Sequence, residues 1–308
     1  MVATLTCPLC HGDCQISESY TISRILSWWG EHGHSFPPQV LDHYRNFHQT
    51  NLSTCINCGF GIFIPTVTGT GEFYQALSGA GLGTYYSRET WEHQQALDDL
   101  KDYRSILEIG SGAGYFLEKL KQQGKEVQGV ELNAAAAAFA RQRQVPVEAA
   151  SIEEFASTHR DRFEAVCLFQ VIEHVAAPLD FLSHALTCLK SGGRLILSVP
   201  NMAGILGKMD PMVTNVPPHH VTRWTPEALG LLPRHFPLEL VALRYEPAYN
   251  FLRPYFQERL RHRGVPEWAA RLIWRLGLSP SIKLLRVVKP EGPQSLQGHT
   301  VYALFRKK

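Results

Sequence analysis

The sequence predicts an α/β chain built around a mainly parallel sheet with helices on both faces. Three observations carry that prediction. Apolar runs of strand length alternate with segments of helical spacing through the middle of the chain. Those strand runs are apolar nearly throughout, as strands covered on both faces are. One strand-to-helix junction, "SILEIGSGAGYFLEKL" (Ser105 to Leu120), is a glycine-rich turn.

Taken in order, the strand-like runs are "SILEIG", "EVQGVEL" (Glu126 to Leu132), "FEAVCLFQV" (Phe163 to Val171) and "GRLILSVP" (Gly193 to Pro200). Helical segments are expected from Tyr115 to Gln123, Ala134 to Gln144, Ile152 to Arg160 and Pro178 to Leu189. Asn133 can cap the alanine run that follows it, and alanine is the strongest helix former. "PLELVALRYE" and the terminal "HTVYALFRKK" read as two further strands. "GTGEFYQALSGAGLGTYY" (Gly69 to Tyr86) reads as a connector, and helical spacing resumes at Trp91.

Composition narrows the class. The 308 residues are 44% hydrophobic and 19% charged, with a net charge of +2, which is too small to argue for nucleic acid. No basic segment leads into an apolar core at the N-terminus, and no run of about eighteen apolar residues occurs. Seven cysteines, an odd number, fit a reducing compartment better than a disulfide framework. The cytoplasm is the expected location, with no transmembrane segment.

The glycines of the turn, Gly110, Gly112 and Gly114, are spaced G-x-G-x-G, and Tyr115 stands where a dinucleotide fingerprint has its third glycine. Alone, such a loop can be no more than a tight turn. Glu131, 21 residues after Gly110 and closing the next strand, adds an acid where two ribose hydroxyls could be held. Ser151 and Ile152 sit at the following strand end, and Gln170, Glu173 and His174 cluster at the next. No GK[ST] follows the loop, which argues against a nucleoside triphosphate.

With "LEIGSGAG", "VQGVEL", "ASIEEF", "FEAVCLFQVIEHV" and "LKSGGRLILSVPN" in this order, residues 100 to 245 resemble the class I S-adenosylmethionine-dependent methyltransferases. The resemblance implies a Rossmann-like seven-stranded methyltransferase sheet with the cofactor across the C-terminal ends of its first strands. It also implies roles by position. Glu108, Gly110, Gly112, Gly114 and Tyr115 would approach the methionine moiety, and Glu131 and Leu132 the ribose. Ser151 and Ile152 would flank adenine, and Gln170 would line the sulfonium side.

"CPLC" (Cys7, Cys10) and "CINCG" (Cys55, Cys58) form two C-x2-C pairs 44 residues apart. Four thiolates on two tight turns match the tetrahedral preference of structural Zn²⁺. A redox pair would be expected after a strand of a βαβ unit, and unpaired buried thiols would not explain the spacing. Cys14, His11 and His48 read as bystanders, and Cys167 and Cys188 as core residues. The expected organisation is a zinc-binding lobe over residues 1–68 and a methyltransferase domain over 69–308.

A four-cysteine module ahead of this core resembles a group acting on small molecules, the sugar C-methyltransferases among them. Their histidine–glutamate–histidine run has its counterpart in "PPHHVTRWTPEAL" (Pro217 to Leu229), with His219 in the glutamate's place. His220 is therefore the first candidate base and His219 the second, with a capping or structural role as the alternative. The expected reaction is methylation of a hydroxyl on a sugar or secondary metabolite. An RNA methyltransferase, a carbon methyltransferase and a silent binding scaffold stand as alternatives. The absence of [DN]-P-P-[YF] and a poorly basic cysteine segment, with only Arg24 and Arg45 between Cys7 and Cys58, argue against RNA. Residues 250–297 read as a helical insertion before the last strand. From Phe251 to Pro290 it holds nine Lys/Arg against two glutamates. A packed cap with a solvated basic face is the plain reading. A dock for an anionic, nucleotide- or lipid-linked acceptor, or for a membrane surface, is the functional one.

Overall fold

The computed structural model describes residues 5–78, 89–209, 211–278 and 297–308. Its N-terminal part is a small antiparallel sheet of β1 (Cys14–Thr21), β2 (Gln49–Cys55) and β3 (Gly61–Ile64). Helices α1 (Ile22–Glu31) and α2 (Pro38–Tyr44) bridge its first two strands. Thr21 caps α1 by accepting from the Arg24 N–H. Ile22, Ile25 and Trp29 then turn inward on one face, against Val40, Tyr44 and Phe63.

The connector expected from Gly69 begins instead with a helix, α3 (Gly71–Ser78), and residues 79–88 lie outside the described residues. Phe73 and Leu77, one turn apart, bury against the same lobe, while Thr70 receives the Phe73 N–H at 3.2 Å. Tertiary burial here outweighs the breaker-rich local sequence.

The larger sheet has seven strands. After α4 (Trp91–Asp99) come β4 (Ser105–Ile109), α5 (Tyr115–Gln122), β5 (Glu126–Val130), α6 (Ala134–Gln142), β6 (Val147–Glu148), α7 (Ile152–Thr158), β7 (Phe163–Phe169) and α8 (Pro178–Cys188). β8 (Leu189–Pro200), β9 (Thr222–Arg223), α9 (Pro226–Gly230) and β10 (Leu238–Pro247) follow. Then come the insertion helices α10 (Leu252–His262) and α11 (Glu267–Ile273), and last β11 (Gln297–Lys307). The sheet order is β10-β11-β8-β7-β4-β5-β6, parallel from β8 to β6, with β11 antiparallel to both neighbours.

Strand parity sends alternate side chains to opposite layers. Leu107, Val166, Leu168, Leu195 and Leu197 meet α7, α8 and α9 on one face. Ile106, Ala165, Cys167 and Ile196 meet Ala96 of α4, its C-cap Leu100, and Phe116 and Leu120 of α5 on the other. Both faces are therefore covered, which is why these strands are apolar throughout. The expected cap holds, since the Asn133 side chain accepts from the Ala135 and Ala136 N–H groups. β8 starts four residues earlier than expected. Glycine permits this, because a Cβ on Gly193 would lie 2.7 Å from the Glu164 carbonyl oxygen.

The two sheets are joined. β9 pairs with β3, Gly61 opposite Arg223 and Ile62 opposite Thr222, so a strand from far beyond residue 68 completes the N-terminal sheet. Arg223 reaches the Glu18 carboxylate at 2.5 and 3.1 Å. Trp224, fully buried, meets Phe60 edge-on at 4.9 Å. Cys7, Leu9, Cys55, Cys58 and Phe60 belong to the same apolar cluster as the main sheet. The segment before residue 69 is thus packed into the larger body along β9.

Candidate active site

A cavity of about 690 Å³ opens at the C-terminal ends of β4, β5 and β7. This is the crevice where open α/β sheets hold ligands. Of the sequence-selected residues, Glu108, Gly110, Gly112, Tyr115, Glu131, Leu132, Ser151, Ile152, Gln170, His219 and His220 line it. Gly114 does not, because it turns toward Ala140 and Val145, which a Cβ there would meet at 3.0 and 3.1 Å.

The loop after β4 makes three left-handed steps, with φ of +73° at Gly110, +51° at Gly112 and +75° at Gly114. Glycine is needed there for a second reason at Gly110, where a Cβ would meet the Val171 side chain at 2.5 Å. The loop is tied to β5 by the Gly110 and Ser111 N–H groups, which donate to the Val130 carbonyl at 2.8 and 3.2 Å. Glu131 then accepts from the Gly112 N–H on one oxygen and from the Asn133 N–H on the other, each at 2.8 Å. Burial raises the Glu131 pKa, and those backbone donors pull it back down.

Glu108 is buried beneath the loop, and its Oε2 has no hydrogen-bond partner. Burial, reinforced by the charge of Glu131, raises its pKa well above the usual carboxylate range. Around the rim, Leu132 is 73% exposed. The Ser151 hydroxyl caps α7 in a reciprocal box with Glu154, and Ile152 is buried beside it. Gln170 holds a left-handed φ of +55°, rare for a side chain of its kind, while its N–H donates to the Ser198 carbonyl at 2.9 Å.

Across the cavity stand three histidines. The His219 and His220 rings stack at 4.5 Å and 21°, and His174 meets both edgewise at 4.7 and 4.8 Å. Each Nδ1 faces an oxygen. For His174 it is the His219 carbonyl at 2.6 Å, for His219 the Thr214 carbonyl at 2.8 Å, and for His220 the Asn215 Oδ1 at 2.9 Å. These acceptors place the proton of His219 and of His220 on Nδ1, which leaves their lone pairs on Nε2, while His174 faces backbone acceptors of both His219 and Gln170. Burial lowers the His174 pKa to about 4 and the His219 pKa to about 3, and takes His220 well below its ordinary value. The neighbouring imidazoles of His219 and His174 add to the effect at His220. In all three rings burial favours the neutral imidazole.

Several lining residues escape the sequence reading. Tyr74 from α3 bonds His174 Nδ1 at 3.1 Å, across 100 residues of chain. Asn215 orients His220. Glu92 is buried near the cavity with its pKa raised, chiefly by burial. His299 comes from β11. None carries a local motif; each is recruited by long-range packing.

The four cysteines also meet. Cys7 and Cys58 sulfurs lie 3.6 Å apart and Cys10 and Cys55 sulfurs 3.4 Å apart, all four within 4.8 Å of one another. Tetrahedral Zn²⁺ with bonds of about 2.3 Å needs sulfurs roughly 3.8 Å apart, so the donor set fits that ion. The cluster touches the histidine segment, because the Thr225 hydroxyl donates to the Cys58 carbonyl at 2.6 Å.

A profile of the family described as a methyltransferase domain matches residues 90–243, half of the chain. Over 104 residues the chain is 34% identical to the ubiquinone biosynthesis O-methyltransferase of Alkalilimnicola ehrlichii, covering 32% of this chain and 42% of that protein. The enzyme of the same name from Azoarcus sp. is 31% identical over 104 residues, 32% of this chain and 45% of that one. The chain thus matches less than half the length of these curated relatives. Among solved structures, an S-adenosylmethionine-dependent methyltransferase from Archaeoglobus fulgidus shares the fold. Its TM-score is 0.52 at 22% identity, over 77% of this chain and all of that one.

The glycine loop yields a graded test. Gly124 also has positive φ, +80°, but a Cβ there would meet nothing within 4 Å. Gly124→Ala should cost about 1–2 kcal/mol, the penalty for the left-handed conformation. Gly110→Ala should cost more, because the Val171 clash adds to that penalty. Urea denaturation of both variants measures the difference, and equal losses would remove the steric argument.

Proposed function

The chain belongs to the methyltransferase domain family, and from that premise we propose that it transfers a methyl group from S-adenosylmethionine to a hydroxyl of a small molecule, of the sugar or secondary-metabolite kind. The observation that carries this reading is that one cavity is lined both by the glycine loop with Glu131 and by three neutral histidines. The name shared by the matched relatives, O-methyltransferase, supports oxygen as the accepting atom.

The residues present fit the cofactor. Gly112 and its neighbours offer a turn with little side-chain bulk, and Glu131 an acceptor for ribose hydroxyls. Glu108 is a buried carboxyl whose Oε2 has no hydrogen-bond partner, and a cation beside it would offset the cost of that isolation. Ile152 supplies apolar surface for a base, and Gln170 borders the space toward the histidines. Bound there, the cofactor supplies a methyl group on a sulfonium, an electrophile for in-line attack by an oxygen.

The chain's own task is to align that oxygen and accept its proton. His220 is the assigned base. Its Nδ1–H is fixed by Asn215, so the lone pair on Nε2 is available to an acceptor hydroxyl. His219 is held by the Thr214 carbonyl and stacks on His220. His174 binds the backbone of His219 and so positions the pair. Structural Zn²⁺ on Cys7, Cys10, Cys55 and Cys58 would fix the knuckle against which Thr225 is tied.

An S-adenosylhomocysteine-release assay over polyprenylated phenols, nucleotide sugars and RNA tests the acceptor class. Turnover with RNA alone would replace the small-molecule reading, and a product methylated on carbon would replace oxygen. Within the enzyme, Glu131→Ala should weaken S-adenosylmethionine binding by about 1.5–3 kcal/mol, the scale of a hydrogen bond to a charged group. Unchanged affinity by calorimetry removes the ribose role.

His220→Ala should leave that affinity nearly intact and lower kcat by about 10²–10⁴-fold. The sign of the pH dependence follows from the lowered pKa. Protonation disables the base, so the wild-type rate should hold level as pH falls through the ordinary histidine range near 6.5. It should decline only in more acidic solution. A midpoint at the ordinary value, or full turnover in the variant, would assign the proton elsewhere.

Metal analysis should find about one zinc per chain, lost in Cys55→Ser. Because the cysteine cluster shares the main apolar core, that variant should lose stability globally rather than shed a separate lobe. A second metal equivalent, lost in His220→Ala, would convert the histidines from base to ligands.

A further inference from the structure

The insertion between β10 and β11 has one face filled and one face bare. On α11 and the π-helical turn that extends it, Trp274–Leu278, Ala270 is buried and Trp274 packs toward Phe256 of α10 at 5.9 Å between rings. At 100° per residue, Trp268, Leu272 and Leu276 fall opposite that inner face. Their exposures are 71%, 48% and 70%, with Ile273 beside them at 44%. These are among the most exposed large apolar side chains of the described residues, and they are contiguous, whereas scattered exposed apolar residues are ordinary.

The same helical positions put Arg271 and Arg275 along one border of the stripe. Over residues 252–276 the hairpin carries six arginines and two glutamates, and no lysine or aspartate. Arg253, Arg259, Arg263 and Arg275 are exposed, while Arg271 pairs with Glu267. The hairpin also begins at the cavity: Phe251, just before α10, stacks on His299 at 4.7 Å and 19°, and His299 lines the cavity wall.

We propose that this hairpin is a membrane-docking element that seats the face of Trp268, Leu272, Ile273 and Leu276 in an anionic lipid surface. The chemistry selects that partner. A tryptophan with three aliphatic side chains matches the boundary between headgroups and acyl chains, and bordering arginines match anionic headgroups. A nucleic acid would use the arginines and leave the aliphatic stripe in water. Low overall hydropathy with a one-sided apolar face is the signature of a helix lying in the interface rather than spanning it. No helix among the described residues is long and apolar enough to cross a membrane. Docking here would hold the cavity mouth close to the lipid surface. The proposal does not depend on which hydroxyl is methylated.

Sedimentation of the full chain with vesicles is the test. Binding to phosphatidylcholine containing about one-third phosphatidylglycerol should exceed binding to phosphatidylcholine alone by about tenfold or more, and should weaken between about 0.1 and 0.5 M salt. Trp268→Ser with Leu272→Ser should reduce binding about tenfold or more, with S-adenosylmethionine affinity retained as proof of folding. Arg271→Gln with Arg275→Gln should weaken binding to the anionic vesicles only. Absence of vesicle binding at low salt, or undiminished binding by the serine variant, overturns the proposal. So does a concentration-dependent self-association abolished by the serine variant, which would give the face to a second copy, or RNA binding abolished by the glutamine variant.

Discussion

Ten residues from Val216 to Thr225 cross between the two sheets, and they are fixed at several points. The Phe63 N–H donates to the Val221 carbonyl, and the Val221 N–H donates to the Glu173 carbonyl, at 3.0 and 2.8 Å. The Thr222 hydroxyl donates to the Ile172 carbonyl at 3.1 Å and accepts from the Trp224 indole at 3.0 Å. Thr225 closes the run on the Cys58 carbonyl while capping α9. His219 and His220 lie within this clamp, so their rings have little freedom. A neutral imidazole can align an acceptor only if its own position costs nothing to hold at the moment of reaction. The cysteine cluster, the N-terminal sheet and the histidines therefore act as one mechanical unit.

Electrostatics divides the cavity into two sides. Glu108 and Glu131 are carboxyl groups whose pKa values burial raises, and both face the glycine loop. On the histidine side burial works in the opposite direction and removes positive charge. One side thus favours a cation as ligand, and the other keeps lone pairs available to hydrogen-bond donors. That division suits a sulfonium donor beside a hydroxyl acceptor. Glu173, buried and pushed up to about 8 with its own N–H opposing the shift, sits directly before His174 and keeps a further full negative charge out of the core near neutrality.

The insertion obeys a different constraint. Its inner face is satisfied by Ala270, Trp274 and Phe256, so the hairpin can hold its shape without the outer stripe. Trp268 and Leu276 stay 71% and 70% exposed outside that packing. The outer face thus keeps bulky apolar groups in water, bordered by arginine, and that arrangement is what the membrane-docking proposal rests on.

The sequence by itself determined the parts whose signals are local. Strand–helix alternation, the caps at Asn133 and Ser151, the three glycines and the acid closing β5 all depend on residues a few positions apart. Backbone sterics and helix periodicity therefore dictate them. Two C-x2-C turns announced the cysteine cluster in the same way, because each pair is a local knuckle. Only the tertiary structure decided which distant groups meet. Tyr74 and His174 are 100 residues apart, and Arg223 and Glu18 are 205 apart. No periodicity links such pairs, and burial in a shared core is what brings them together. Burial also settled the charge of the histidines, since the pKa of an imidazole reflects its solvent rather than its neighbours in sequence. The same holds for Trp268, Leu272 and Leu276. Their spacing puts them on one face of a helix, and the fold alone determined that this face points outward.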